Sequence, residues 1–213
     1  MTTRNVEIQE VVSDNIVRRK TINLDEQAPA ADRVTIPDAI KAYTTVTNQG
    51  DNISQRTILD FVDLPISFAD DANIAQYGGV QIMTFPEGLI FTKGAIISGD
   101  LTLGVTGTFI DAFTGVNALG SVVASTGSSL TSTEATYLQS TANATAAAKV
   151  AAIDSVSVAT ALTETSSRIV NGTSTPAPVF LNFAIADHAS HTAGTGKFTG
   201  RVIISWEKIG DLL

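Results

Sequence analysis

Hydrophobic and polar residues alternate with a period of two in two long runs near the end of the chain, PVFLNFAIAD and GKFTGRVIISWEKIGD. The hydrophobic positions of these runs are Val179, Leu181, Phe183 and Ile185, followed by Phe198, Val202, Ile204 and Trp206. This period is typical of strands that bury one face and expose the other. A short polar loop separates the runs, so the pattern predicts a closing antiparallel hairpin, half-buried, with Trp206 in the core.

The same alternation begins near Thr57. In DFVDLPISFADD the hydrophobic positions run from Val62 to Phe68, and Asp70-Asp71 then indicates a turn. In the following stretch, YGGVQIMTFPEGLIFTKGAIISGDLTL, the pairs Gly78-Gly79, Lys93-Gly94 and Gly99-Asp100 and the triplet Pro86-Glu87-Gly88 separate short hydrophobic runs. We therefore predict an all-β domain over 54–213, built as a meander of short strands in a sandwich or barrel.

The first 53 residues lack a sustained period. Short hydrophobic pairs alternate with polar stretches, and Pro29 and Pro37 interrupt any regular element. We predict an extended N-terminal arm over 1–53, with one helical turn at Asp38–Tyr43. Scattered hydrophobic residues do not offset the entropy of ordering such an arm, so we expect it to be mobile in the free protein and to order on a partner.

An excursion rich in Ser, Thr and Ala interrupts the strand pattern at about 115–175. Thr131 and Glu134 have the spacing of a helix capping box, and the alanines of ANATAAAKVAAID have high helix propensity. The threonines among them lower that propensity, and no hydrophobic stripe runs through the segment. A short helix and an irregular excursion therefore both fit 131–154.

Composition narrows the class of protein. A chain of 213 residues is long enough for one all-β domain with an extension. The net charge of −8 argues against a nucleic-acid partner, since such partners require a basic patch. No segment approaches the roughly 18 apolar residues of a membrane span, and MTTRNVEIQEVV lacks the apolar core of a signal peptide. We expect a soluble protein that is made in the cytoplasm and has no membrane partner.

The strongest catalytic candidate is the sequence DHASH, which places Asp187, His188 and His191 within five residues. The chain has no third histidine and no cysteine, so we do not predict a metal site there. The segment GTGKFTG at 194–200 departs from the Walker pattern, which requires Ser or Thr at the position of Phe198, and turn glycines before a strand explain it. We therefore predict no catalytic residues, no metal, no cofactor and no enzymatic activity.

Two charged features remain. The carboxylates of Asp60 and Asp63 are close in sequence, and we assign them to the surface. Residues 1–50 hold six of the thirteen basic residues, including the run Arg18, Arg19 and Lys20, whereas the rest of the chain is acidic. Because basic residues are few elsewhere, this run is expected to contact an acidic protein surface rather than nucleic acid.

Several pieces of the body resemble one family. They are the ordered elements GGV, FPEG and GA after residue 77, the LNFAIAD strand, and the closing strand in which Trp206 precedes Gly210-Asp211. Together they resemble tailed-bacteriophage head proteins of the capsid cement or decoration type, over roughly 57–211. The resemblance implies a jelly-roll-like β-sandwich on the outer surface of the capsid, where it clamps neighbouring major capsid subunits in the virion.

A clamp of this kind acts by multivalency, because an external protein that binds several shell subunits opposes their separation. The resemblance therefore implies the major capsid protein as partner. It begins at about residue 57, so Arg18, Arg19 and Lys20 are candidate capsid contacts because of their charge. We also expect self-association about a symmetry axis, first as a homotrimer and next as a dimer. The alternative is a virion-attached, lectin-like module that binds host-surface glycan, although sugar sites require exposed aromatic residues and Trp206 is expected in the core.

Overall fold

A computed structural model describes residues 5–13, 16–23, 33–50, 54–70, 75–107, 115–125, 130, 132–142, 150–157, 169–186 and 192–210. The strands in chain order are β1 (Asn5–Ser13), β2 (Ile16–Asn23), β3 (Thr44–Gly50), β4 (Ser54–Asp70), β5 (Ala75–Thr84), β6 (Gly88–Thr106), β7 (Gly115–Gly120), β8 (Leu138–Ala142), β9 (Val150–Ser157), β10 (Ile169–Gly172), β11 (Pro178–Ala186) and β12 (Gly194–Gly210). Two short 3-10 helices span Asp38–Tyr43 and Ser132–Ala135.

Two sheets contain these strands. β1 and β2 form a two-stranded antiparallel sheet, and the other ten strands form one antiparallel sheet in the order β10-β6-β12-β4-β5-β11-β7-β8. β3 pairs with β4, and β9 pairs with β6. The predicted all-β class is confirmed. The jelly-roll connectivity stays a prediction, because the observed architecture is a curled sheet.

The large sheet curls around one main hydrophobic core. One half contains β6, β12 and β4, and the other contains β5, β11 and β7. Within the described residues, β4 and β5 join the halves through three residue pairs. Phe183 of β11 lies 6.0 Å from Phe198 of β12 between ring centroids, although two strands separate them in the sheet. Phe85, just after β5, packs edge-on against Trp206 at 5.6 Å. Such contacts require the two halves to face each other across the core.

The period-two pattern of β11 and β12 correctly identified the buried residues. Those residues are Val179, Leu181, Phe183, Ile185, Phe198, Val202, Ile204 and Trp206, each at most 1% exposed. The predicted closing hairpin is wrong, however, because β11 pairs with β5 and β7 whereas β12 pairs with β4 and β6. The long strands β4 and β6 occupy both edges of β12, so the last strand of the chain is central in the sheet.

The prediction that β11 is half-buried is also wrong. Asn182 and Ala184, on the face opposite Phe183, are as buried as the hydrophobic residues. Ala124 and Leu130, from the excursion, pack with Ala184 in a second hydrophobic cluster. The excursion therefore covers a face that the alternation alone assigned to solvent.

β6 is one strand of 19 residues, so the turns predicted at Lys93-Gly94 and Gly99-Asp100 do not exist. At Lys93, β6 contains one extra residue relative to β12. Ser205 pairs with Gly94, whereas the next residue, Trp206, pairs with Thr92. The shift has the form of a β-bulge. After the bulge, the side chains of β6 alternate between the two faces of the sheet again, but odd-numbered residues instead of even-numbered ones now face the core. This allows a single long strand to follow the curled sheet.

The second predicted turn is a close contact between strands. Gly99 has a φ of 154° and lies opposite Gly200 in the register of β6 and β12. A side chain on Gly200 would collide with the carbonyl oxygen of Ser98, and its Cβ would lie 2.7 Å from Gly99 Cα. Glycine is required here because the backbones of the two strands approach closely, not because the chain turns.

β4 contains a second bulge, at Val62 and Asp63. Both residues fall opposite Thr199, because Phe61 pairs with Gly200 and Leu64 with Phe198. Asp63 has a φ of 53°, and its backbone N–H donates to Thr199 Oγ1 at 3.0 Å. Val62, predicted on the buried face, is therefore 66% exposed.

The segment assigned to the arm contains elements of the body. The predicted helical turn at Asp38–Tyr43 is confirmed as a 3-10 helix whose Ile40 is 3% exposed and belongs to the main core. β3 pairs with β4 over seven residues, and the backbones of Thr35 and Thr84 exchange two hydrogen bonds. Residues 33–50 are thus part of the large sheet and its core. β1 and β2 lie in a region where no persistent strand period was recognised.

Neither interpretation of 131–154 describes the residues that are placed there. Ser132–Ala135 forms a single 3-10 turn, and strands β8 and β9 follow, paired with β7 and β6. Open edges of β6 and β7 provide hydrogen-bond partners, and this tertiary pairing outweighs the helix propensity of alanine. Residues 143–149 lie outside the described part of the chain.

Candidate interaction surfaces

The outer face, defined as the side of β4, β12 and β6 that points away from the core, carries a row of isoleucines. Ile203 pairs directly with Ile58 on one side and with Ile96 on the other. All three are half-buried, and their neighbours along each strand are buried. We call Ile58, Ile203 and Ile96 the isoleucine row.

Ion pairs flank the isoleucine row on both sides. Arg201 Nε donates to Asp60 Oδ1 at 2.6 Å, and Lys93 pairs with Glu207 beyond the other side of the row. The hydrogen bond and charge of Asp60 raise the pKa of the Arg201 guanidinium above its usual range. These pairs are exposed, so they orient side chains more than they stabilise the fold. Arg56, exposed beside Ile58, takes part in none of the ion pairs within the described residues.

The predicted capsid contacts Arg18, Arg19 and Lys20 lie together on β2. The register of the small sheet places them opposite Glu10, Gln9 and Ile8 of β1, respectively, in regular antiparallel pairing. The structure describes their backbone positions only. Their role as capsid contacts therefore stays a prediction.

The sequence offers two other groups of candidate residues, the histidine segment DHASH and the carboxylates of Asp60 and Asp63. Asp187, His188 and His191 lie outside the described residues, within which no group of three His, Cys, Asp or Glu side chains could hold a metal ion. The surface role of Asp60 and Asp63 is confirmed, since Asp60 pairs with Arg201 and Asp63 with Lys197 at 3.4 Å.

The segment GTGKFTG at 194–200 lies inside β12, so its glycines do not form the turn that we predicted. Gly194 and Gly200 face the backbone of β6 closely enough that a Cβ would collide with it. They are required by strand packing, not by a loop.

A buried polar cluster around Asn182 was missed by the sequence analysis. Its Oδ1 accepts from the backbone N–H of Ala124 at 3.0 Å, and its Nδ2 donates to the carbonyl oxygens of Val122 and Glu134 at 2.9 and 2.8 Å. Glu134 Oε1 in turn accepts from the N–H and hydroxyl of Ser125. One amide thus fastens two parts of the excursion to β11.

Tyr137 makes a second attachment between the excursion and β11. Its hydroxyl donates to the carbonyl oxygen of Pro178 at 3.0 Å, and its ring packs edge-on against Phe85. Burial raises the pKa of the Tyr137 phenol well above its usual range. The phenol therefore acts as a neutral donor at physiological pH.

Comparison with known proteins adds no relative. No family model, no curated protein and no solved structure matches this chain. Within the part of the chain that is described, no helix combines the length and hydrophobicity needed to cross a membrane.

Proposed function

We propose that this protein is a structural component of a tailed-phage virion, bound to the outside of the head, where it clamps neighbouring major capsid subunits. The observation that carries this proposal is the separate two-stranded sheet of β1 and β2 at the start of the chain. A lone two-stranded hairpin is marginally stable in water. The large sheet has its own core, so the hairpin is the element that gains most from binding a neighbouring surface.

The segment that joins the hairpin to the large sheet is long enough for the hairpin and the sheet to attach to different capsid subunits. Nine residues separate Asn23 from Arg33, and a fully extended chain of that length spans about 30 Å. A body docked on one capsid subunit and a hairpin docked on the next bind with the effective concentration of a tethered pair. Their separation under the pressure of packaged DNA would then require both contacts to break.

Arg18, Arg19 and Lys20 provide the charge for the hairpin contact. Complementary charge between a basic hairpin and an acidic capsid surface accelerates association and makes it dependent on salt. The resemblance of about 57–211 to cement proteins provides the class of partner.

Co-sedimentation with expanded heads that lack the protein tests the proposal. The wild-type chain should bind saturably, and changing Arg18, Arg19 and Lys20 together to Ala should weaken binding and flatten its salt dependence. The melting temperature of the free triple variant should stay nearly unchanged. Lys41→Ala, which removes an exposed charge outside the hairpin, is the control and should bind normally.

Failure of the wild-type chain to bind heads would contradict the proposal. Binding to host-surface polysaccharide instead would support the lectin-like recognition module.

A further inference from the structure

We propose that two copies of this chain associate through the outer face, related by a two-fold axis that runs along the isoleucine row. This contact concerns the free protein, and it stands independently of attachment to heads. It also favours a dimer over a trimer. An interface that uses the same face of both copies is complete once two copies are bound.

The first support is the hydrophobic character of the face. The outer side of a sheet that remains in water is ordinarily polar, whereas three β-branched residues lie here side by side on adjacent strands. Two further apolar residues on the same side of the sheet, Phe91 and Ile169, pair with each other beyond Lys93 and Gly94, and Ile169 is 53% exposed. Exposed apolar side chains grouped on one side of a sheet are typical of a protein contact.

The second support is the order of charges along two strands. On β4 the outward positions read Arg56, Ile58 and Asp60. β6 runs in the same direction, because both strands are antiparallel to β12, and it carries Lys93 before the row and Asp100 after it. Both strands are therefore positive on one side of the isoleucine row and negative on the other. β12, which lies between them, has the reverse order, with Glu207 on the first side and Arg201 on the second.

This order makes the face complementary to itself. A two-fold axis along the row lays each strand over the same strand of the partner with the two sides exchanged, so that Arg56 of each copy faces Asp60 of its partner. An axis along the strands would bring like charges together. Face-to-face sheets pack about 10 Å apart with nearly aligned strands, which this arrangement satisfies.

The available area approaches that of a stable complex. β3, β4, β12, β6 and β9 are neighbours in the sheet. Five strands about 4.8 Å apart, over roughly seven residues of 3.3 Å, give a face of the order of 500 Å² in projection. The accessible area of a corrugated face exceeds its projection, and about 800 Å² per partner is usual for a stable complex.

Sedimentation velocity of the full chain tests the contact. The wild-type chain should sediment as a dimer, and Ile203→Lys should raise the dissociation constant at least ~30-fold by placing a charge at the centre of the interface. Val122→Lys is the control, because Val122 is 41% exposed in the segment after β7 and away from the outer face, and it should leave the dimer intact. A monomeric or trimeric wild-type chain, or equal behaviour of the two variants, would overturn the assignment.

Exchanging the charges at positions 56 and 60 gives a second test of the dimer that does not rely on Ile203→Lys. Arg56→Asp and Asp60→Lys should each sediment mainly as monomers, since each places like charges opposite one another. An equimolar mixture should form a heterodimer, because positions 56 and 60 then carry opposite charges across the interface. Failure of the mixture to associate, with both variants folded, would contradict the two-fold arrangement. Co-sedimentation of Ile203→Lys with heads reports separately on the proposed function.

Discussion

Trp206 connects the two halves of the core. It is 1% exposed, packs edge-on against Phe85, and donates from Nε1 to Thr57 Oγ1 at 3.1 Å. Truncation removes packing from both halves and leaves a cavity. Trp206→Ala should therefore lower the free energy of unfolding by about 3–5 kcal/mol in chemical denaturation.

Tyr43→Ala provides the comparison for Trp206→Ala, because Tyr43 is 37% exposed and outside the core. Its effect should stay below about 1 kcal/mol. Equal losses for the two variants would mean that Trp206 does not hold the halves together.

Asn182 is predicted to be the most important polar side chain of the fold. Asn182→Leu leaves the N–H of Ala124 and the carbonyl oxygens of Val122 and Glu134 without their side-chain partner. Each buried group left unsatisfied costs about 1–3 kcal/mol, so the variant should lose at least ~3 kcal/mol and expose the Ala124 amide to fast hydrogen exchange. Asn171→Leu, at an exposed position near the end of β10, is the matched control. Slow exchange at Ala124 in Asn182→Leu would refute this role.

The two residues differ in how far the sequence predicts them. Trp206 was placed correctly because it continues an unbroken alternation along its own strand. Asn182 was assigned to solvent on the same rule, since its partners are 48 to 60 residues away in the chain. Periodicity identifies a face but not what covers it.

Strands were predicted from sequence more reliably than their partners or ends. Gly94 and Gly99 resemble turn residues in a linear pattern, yet the structure uses them at a bulge and at a close strand contact inside β6. The polar loop after β11 suggested a hairpin, but β12 lies between β4 and β6. Both errors arise because glycine and loop length are local signals, whereas pairing in a large sheet is decided by distant strands.

The N-terminal region divides into two parts with different expected stability. Residues 33–50 should be protected in hydrogen exchange of the free protein, because Ile40 is in the core and β3 is paired with β4. β1 and β2 should exchange quickly, as a two-stranded sheet is marginal alone, and should gain protection on heads. The arm predicted from the sequence is therefore confined to the residues before Arg33. Fast exchange across β3, or strong protection of β1 and β2 in free protein, would contradict the division.

At the scale of the whole molecule, the all-β class followed from alternation and turn composition, but the curl of the sheet did not. The curl depends on bulges at Val62-Asp63 and Lys93 and on the few residue pairs that join β4 to β5. These features bring Phe183 and Phe198 together across the core. The proposed clamp depends on this curled sheet and on the separate hairpin of β1 and β2.

The central claim is that the protein reinforces a phage head, and thermal opening of heads tests it most directly. Heads with and without the protein are heated in the presence of a DNA-binding dye, and the temperature of DNA release is recorded. Heads without it should assemble but open at a lower temperature, and added wild-type protein should restore the higher one. Release at the same temperature from both kinds of head would contradict the account.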